Sequence, residues 1–206
     1  MIKVLIVDDH PVVCRAISAA LKATPALKII GEAQDGKAAV QIAKELHPHV
    51  VLLDLNLPKI NGLKAASLIL KQDPNVKVIA FTSFEGHYVI HAALREGFNG
   101  YLTKTSPIEE IAKAIKKVYS GENYFQNEIA EKITDKAFPL NKLSEREYEI
   151  FNLLVKNNNP KDIASSLKIN LSTFRTHEKN VYKKLKIKSN KELIFFAMKA
   201  GFFELN

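Results

Sequence analysis

Five side chains of kinds that handle phosphate and metal ions, Asp8, Asp9, Asp54, Thr82 and Lys104, stand at or just past the C-terminal ends of short apolar runs. Those runs are VLIV before Asp8, VVLL before Asp54, VKVIAF before Thr82 and GYLT before Lys104. If the runs are neighbouring strands, the five groups share one rim. Three carboxylates there repel one another and call for a counter-charge. A hard divalent cation such as Mg2+ fits, because it binds through one or two carboxylates and keeps waters and phosphate oxygens as its other ligands. With the repulsion offset, one carboxylate can attack phosphorus and carry the phosphoryl group. Lys104 offers a point charge to a phosphate oxygen, and Thr82 offers a hydroxyl donor.

The elements that must position these groups follow from apolar patterning and turn chemistry. Residues 3–8 read as a buried strand, and Pro11, suited to a first helical turn, opens a helix to about Ala23. LKIIGEA (27–33) is a second strand, Asp35-Gly36 turns into a helix ending near Leu46, and a third strand covers 50–53. A helix over 62–71, a strand over 77–81, a helix over 87–96 with Gly97 as its C-cap, a short strand over 100–102 and a helix from Ser106-Pro107 to about Ser120 complete five β-α units. Near-continuous apolar strands are what a parallel sheet buried on both faces requires. In such open sheets ligands gather beyond the carboxyl ends of the strands. Residues 1–120 are therefore expected to form one α/β domain. Residues 121–142 read as a linker with one short helix around 127–135 and a loop through Pro139.

After Leu143 every segment reads as helix, and residues 143–206 are assigned to a second, all-α domain. Ser144 with Glu147 three residues on is a capping box opening a helix to about Lys156. Asn157, Asn158, Asn159 and Pro160 break it, a short helix covers 160–167, and Ile169-Asn170-Leu171 turns the chain. Ser172 is the expected cap of a longer helix to about Lys186, and a last helix spans roughly 190–200. Phe174, Val181 and Leu185 share one face of the long helix, leaving Arg175, Thr176, Lys179 and Lys183 largely on another. Two short helices, a tight turn and a basic second helix make a helix-turn-helix.

Charge supports that assignment. The net charge is +8, and residues 168–191 hold eight Lys or Arg against the single acid Glu178. Such a local excess is an electrostatic footprint for nucleic acid, although charge runs also occur on plain solvated helix faces. With 47% hydrophobic and 25% charged residues a packed core is expected rather than disorder. The lone Cys14 permits no internal disulfide and no cysteine metal cluster, which fits a reducing compartment, with cytosol the default. The opening MIKVLIVDD does not read as a secretory leader, and the apolar run LIFFAM at 193–198 is far short of a bilayer span. A soluble, cytoplasmic protein without membrane association is expected.

These residues resemble the response regulators of two-component systems, in the NarL/FixJ (LuxR-type) group. The receiver part of the resemblance rests on VDDH at 7–10, DLNLP at 54–58, Thr82-Ser83 and GYLTK at 100–104. It implies a flavodoxin-like, doubly wound, five-stranded parallel sheet with Asp54 as phosphoacceptor. Asp9 is then a direct Mg2+ ligand, Asp8 acts largely through metal-bound water, and the backbone carbonyl of Asn56 completes the protein ligands together with Asp54. Thr82 and Tyr101 become the switch pair, and Lys104 the phosphate-binding lysine. LSEREYEIFNLL at 143–154 and IASSLKINLSTFRTHEKNVYKKLKI at 163–187 are similar to LuxR-type DNA-binding domains, with Thr173, His177, Asn180, Lys184 and Leu185 as the telling spacing. That likeness places Arg175, Thr176 and Lys179 toward the major groove and Lys183, Lys184 and Lys188 on phosphates. Arg175 is the foremost candidate for base readout, since arginine pairs bidentately with guanine. The implied partners are double-stranded DNA, a sensor histidine kinase and a second copy of the chain when active.

The sequence departs from that pattern in places. Thr105 rather than proline follows Lys104, leaving the isomer of that peptide bond open, and Asn190 stands where the group usually has arginine. Phe84, two residues past Thr82, sits where a side chain can gate water and tune phosphoryl lifetime. Singly, Asp8 or Asp9 fits a helix cap, Asp54 a turn and Lys104 a solvated charge. His10, His47, His49, His87 and His91 show no paired metal spacing. Two other classes remain open at this level. A phosphatase or phosphotransferase could use Asp54 as a turnover nucleophile, although the haloacid dehalogenase kind wants an acid where Asn56 stands. A phosphorylation-gated protein-interaction module that binds no DNA is the other. The expected reading is a transcriptional regulator rather than an enzyme.

Overall fold

Valine, isoleucine and leucine dominate the strand segments because each must fill space on both faces of the sheet at once. In the computed structural model, which describes residues 1–84, 86–134, 138–156, 159–199 and 202, these segments form a parallel sheet in the order β2-β1-β3-β4-β5-β6. The strands are β1 (Ile2–Val7), β2 (Leu27–Ala33), β3 (Val50–Leu53), β4 (Lys77–Thr82), β5 (Gly100–Thr103) and β6 (Tyr124–Phe125). Between them run α1 (Pro11–Leu21), α2 (Gly36–Leu46), α3 (Gly62–Gln72), α4 (His87–Arg95) and α5 (Ile108–Tyr119). The first five strands follow the doubly wound flavodoxin-like order, whose switch point lies between β1 and β3. Ile2, Val4, Ile6, Val50, Leu52, Ile79, Phe81 and Leu102 pack on one side with Ile17, Leu21, Ile111, Ile115 and Val118 of α1 and α5.

The sixth strand was not expected from the sequence. Tyr124 and Phe125 pair in parallel with Gly100 and Tyr101 on the outer edge of β5. Gln126 then accepts from the Thr103 amide at 3.0 Å and donates to Ser106 and Glu110 at 3.0 and 3.1 Å. Part of the expected linker is thus an edge strand, followed by α6 (Asn127–Thr134). A two-residue strand carries too short a pattern to be read locally, and its pairing is with residues 24 positions earlier. The chain clusters into two compact units, Met1–Ile133 and Thr134–Phe203. Residues 135–137 of the expected linker lie outside the described residues.

In the second unit a 3-10 turn (Pro139–Lys142) precedes α7 (Glu145–Val155), α8 (Pro160–Ser166), α9 (Leu171–Leu185) and α10 (Asn190–Lys199). The capping box at Ser144 and Glu147 forms as expected. Asn159 caps α8, while Asn157 and Asn158 lie outside the described residues. The cap of α9 corrects the expectation: it is Asn170, whose side chain accepts from the Thr173 amide at 2.8 Å, and the Ser172 hydroxyl instead donates to Asn170 at 2.7 Å. Asn and Ser compete closely for this role, so two candidates two residues apart are not separable by type. Phe151 is fully buried, with Phe196 and Phe202 edge-on to it at 6.1 and 6.0 Å. Phe174, Val181 and Leu185 turn inward as their spacing implied.

Candidate functional site

Strand register brings the first site together. Val7 pairs with Leu53 across the switch point, so Asp8 and Asp54 leave adjacent strands at the same level. Both stay in the ladder through their amides, Asp8 to the Ala33 carbonyl at 3.0 Å and Asp54 to the Val7 carbonyl at 2.9 Å. Each side chain also bonds the amide two residues on, Asp8 to His10 at 2.9 Å and Asp54 to Asn56 at 3.2 Å. These local bonds aim one oxygen of each carboxylate back at its own loop and leave the other free to face the rim.

Lys104 meets those other oxygens. Its Nζ lies 2.7 Å from Asp54 Oδ2 and 2.7 Å from Asp8 Oδ2. The two carboxylates are buried, at 3% and 1% exposure, so this is one ammonium shared by two desolvated anions. Burial works to lower the Lys104 pKa, but the bonds to Asp54 and Asp8 and their charges outweigh it and hold the pKa above 10.5. Asp9 is more open and sits beside Asp8, and His10 closes the group with Nδ1 2.8 Å from Asp9 Oδ1 and 3.2 Å from Asp8 Oδ1. Asp8, Asp9 and His10 each offer a ligand atom, all within 4.8 Å of one another. Sequence spacing gave His10 no role. Its contact is to its immediate neighbours, which a search for paired histidines passes over.

The loop after β3 is fastened down. Gly62 lies so close beneath it that a Cβ there would stand 2.1 Å from the Asp54 carbonyl oxygen, which is why this position takes glycine. Lys59 bonds Asp35 at 2.5 Å, tying the loop to the cap of α2. That lysine bond, followed by the Ala38 amide, holds the Asp35 carboxyl below its ordinary range. Asn56, exposed, rides on this loop.

Thr82 and Tyr101 are each 1% exposed and converge on one residue. Thr82 Oγ1 accepts from the Phe84 amide at 3.4 Å, and the Tyr101 hydroxyl donates to the Phe84 carbonyl at 2.7 Å. The Lys104 amide bonds the Thr82 carbonyl at 3.0 Å, joining the two strand ends. No cis peptide bond occurs among the described residues, so Lys104 to Thr105 is trans. Cys14 lies under the site with its thiol pushed up to about 11 by burial and the Asp8 and Glu32 charges, which leaves it a neutral packing residue.

The second site is α9. Arg175, Thr176, Lys179 and Lys183 are exposed on it, opposite the buried face. Thr176 Oγ1 donates to the Ser172 carbonyl at 3.1 Å, within its own helix. Lys188 is exposed, its amide bonded to Glu192. Lys184, grouped with the DNA contacts on sequence grounds, points elsewhere. Its Nζ is 2.6 Å from Glu147 Oε2, the same oxygen that takes the Ser144 amide at 2.8 Å in the capping box. Burial works to raise the Glu147 pKa, but Lys184 and Ser144 hold it below 4.5. Lys184 therefore fastens α9 to the start of α7. Arg175 is paired as well, with Nη1 2.7 Å from Glu178 Oε2.

Comparison with known proteins gives the family of both units. Residues 4–116 match the family model described as response regulator receiver domain, and residues 141–197 the model described as bacterial regulatory proteins, luxR family. The chain is 34% identical to the response regulator GacA of Pseudomonas aeruginosa over 208 residues, covering 98% of this chain and 97% of that protein. It is 35% identical over 200 residues to the response regulator protein VraR of Staphylococcus epidermidis, covering 95% and 96%. Among solved structures, the RcsB response regulator of Salmonella typhimurium aligns with a TM-score of 0.67 over 96% of this chain and all of that one, at 22% identity, a likeness of fold. An RcsB–DNA complex aligns at 0.66, with 22% identity, over 96% of this chain and 98% of that one. No helix among the described residues is long and apolar enough to cross a membrane.

Proposed function

We propose, for a chain that belongs to the response regulators with a receiver domain and a LuxR-type DNA-binding domain, that Asp54 accepts a phosphoryl group from a sensor histidine kinase and that this modification controls DNA binding. The observation that carries the reading is the shared ammonium: Asp54 lies at the end of β3 with Lys104 Nζ 2.7 Å away and Asp8 on its other side. In the transfer Asp54 oxygen bonds to phosphorus as the phosphorus–nitrogen bond of the donor imidazole breaks, its electron pair staying on the imidazole. Lys104 moves from the two carboxylates to a phosphoryl oxygen. We take the first compact unit as the receiver, its sheet extended by the Tyr124–Phe125 edge strand past the 1–120 expected from sequence, and residues 143–206 as the output domain.

Mg2+ fits the donor set, because Asp8, Asp9 and Asp54 offer only hard oxygen ligands and outnumber the single ammonium among them. Asp8, Asp9, Asp54 and the Asn56 carbonyl would hold it, with the His10 imidazole moving off the acidic pair. Bound there, the ion would supply charge neutralisation for the transferring group.

The phosphorylated Asp54 adds charge and acceptor oxygens that reach for the Thr82 hydroxyl. Thr82 then gives up its 3.4 Å bond to the Phe84 amide, and Tyr101, bonded to the same residue's carbonyl, is released with it. That is a two-state element biased by one charge change. Phe84 itself would limit water access and so the phosphoryl lifetime. In the output domain Arg175, Thr176 and Lys179 face base edges, while Lys183 and Lys188 contact phosphates, in a homodimer on paired half-sites. The protein works in the cytoplasm, and its phosphorylation is stoichiometric rather than a turnover reaction.

The test is intact mass after incubation with Mg2+ and acetyl phosphate. One added phosphoryl group in the unaltered protein and none in Asp54→Ala is expected. An adduct that persists in Asp54→Ala would overturn the assignment.

A further inference from the structure

Glu178 is an odd residue to find on a helix that meets DNA. It is the single acid among eight basic residues in 168–191. It also sits at the flank of the exposed face of α9, one turn from Arg175 and Tyr182. Standing alone near phosphates it would only repel them. In the structure it does not stand alone: Arg175 Nη1 lies 2.7 Å from Glu178 Oε2, with the Glu178 side chain 16% exposed and Arg175 57% exposed. The arginine thus covers the acid while keeping most of its own donors open.

We propose that Glu178 is a positioning residue for sequence discrimination, holding the Arg175 guanidinium toward base edges and away from the phosphate backbone. The proposal rests on reading α9 as the helix that enters the groove. A free arginine on this face has two competing acceptor targets. Phosphates are numerous and carry no sequence information, whereas a guanine edge accepts a bidentate pair that does. If Arg175 swung out to a phosphate, the Glu178 carboxylate would be left unpaired beside a polyanion. That penalty falls only on the non-specific arrangement, which makes Glu178 a device against the wrong complex as well as a support for the right one. Engaging guanine leaves the pair intact, because a guanidinium carries five N–H donors and Glu178 uses one side of the fork.

The experiment uses the full chain, phosphorylated with acetyl phosphate, and a duplex enriched from a randomised pool by the unaltered protein, with a scrambled duplex of the same composition. Affinities for both are measured against salt for the unaltered protein, Glu178→Ala, Glu178→Gln, Arg175→Ala and the Arg175→Ala/Glu178→Ala double variant. A bidentate arginine–guanine pair is worth about 5- to 150-fold in discrimination. We expect Glu178→Ala to tighten binding to the scrambled duplex and to reduce the ratio of the two affinities by about 5-fold or more, the lower end of that range. Gln keeps an acceptor for the guanidinium, so Glu178→Gln should recover part of the ratio. In the Arg175→Ala background, removal of Glu178 should leave the ratio unchanged. Equal tightening on both duplexes in Glu178→Ala, with the ratio preserved, would overturn the proposal and leave Glu178 a plain repulsive charge. A pool from which the unaltered protein enriches no sequence would overturn the DNA-reading assignment of α9 and this inference with it, a result separable from the first because it needs no variant.

Discussion

Replacing Lys104 by Met should destabilise the first unit strongly, whereas replacing Asp54 by Asn should not. Lys104 Nζ is the shared partner of Asp8 and Asp54, at 2.7 Å from each, and those residues are 1% and 3% exposed. Removing one partner of a buried ion pair costs about 3–5 kcal/mol, because the remaining charge is left without compensation. Here two carboxylates are left and they also repel each other, so the upper part of that range applies. At a typical urea slope of about 1–3 kcal/mol/M, the midpoint should fall by about 1.5 M or more. Asp54→Asn instead removes one of two like charges and leaves Asp8 and Lys104 as a one-to-one pair, so its midpoint should stay level or rise. Far-UV circular dichroism in urea measures both, and the sequence has no tryptophan to serve as a probe. Mg2+ at about ten times its dissociation constant should return about 1.4 kcal/mol by linkage to any variant whose carboxylates still bind it. The Lys104 pKa is raised above 10.5, so its contribution is complete below that pH and fades as pH rises through the folded value; the unaltered protein should lose stability there and Lys104→Met should not. Equal losses in the two variants would refute the argument, since they would mean that lost contacts rather than unbalanced charge set the effect.

Two further outcomes follow from the packing. Lys184→Ala should lower stability of the second unit by about 1–2 kcal/mol, a figure reduced from the buried-pair range because Lys184 is 39% exposed, and should leave the salt slope of DNA binding unchanged, since its ammonium is on Glu147 rather than phosphate. The Glu147 carboxyl is held below 4.5, so its contribution is full above that pH and is lost as pH falls through the lowered value, a loss that acid titration of Lys184→Ala should show only in part because the Ser144 bonds remain. Gly62→Ala should shift the loop beneath Asp54, where its Cβ would stand 2.1 Å from backbone oxygen, lowering stability by about 1–3 kcal/mol and slowing acetyl phosphate labelling in the mass assay.

The parts of this fold that were legible in the sequence share a cause. A strand buried on both faces has to be apolar along its length, so β1, β3 and β4 announce themselves, and a parallel sheet has to present their ends on one side. Asp8, Asp54 and Lys104 could therefore be brought together without knowing a single distance. What stayed hidden depends on pairings that no local pattern encodes. The edge strand at Tyr124 and Phe125 is defined by β5, and Gln126 reaches Thr103 across 23 positions. The bond between Glu147 and Lys184 spans 37. His10 escaped for the opposite reason, because its partners Asp8 and Asp9 are adjacent and already had roles.

The basic residues of α9 show where that limit bears on function. A lysine reads the same in sequence whether it faces a phosphate or an acid of its own protein, and only the position of the acid decides. Glu147 was identified as one half of a capping box, with Ser144, and that role uses its Oε2 oxygen on a backbone amide. The same oxygen also takes the Lys184 ammonium, so the helix cap that starts α7 also ties down one cation of α9. Glu178 does something different to Arg175: it is largely covered by a guanidinium that itself stays exposed. Counting Lys and Arg in 168–191 overstates the free positive charge, and locating the acids that meet them, one buried and one at the edge, separates a residue that fixes the helix from one that is aimed by its neighbour.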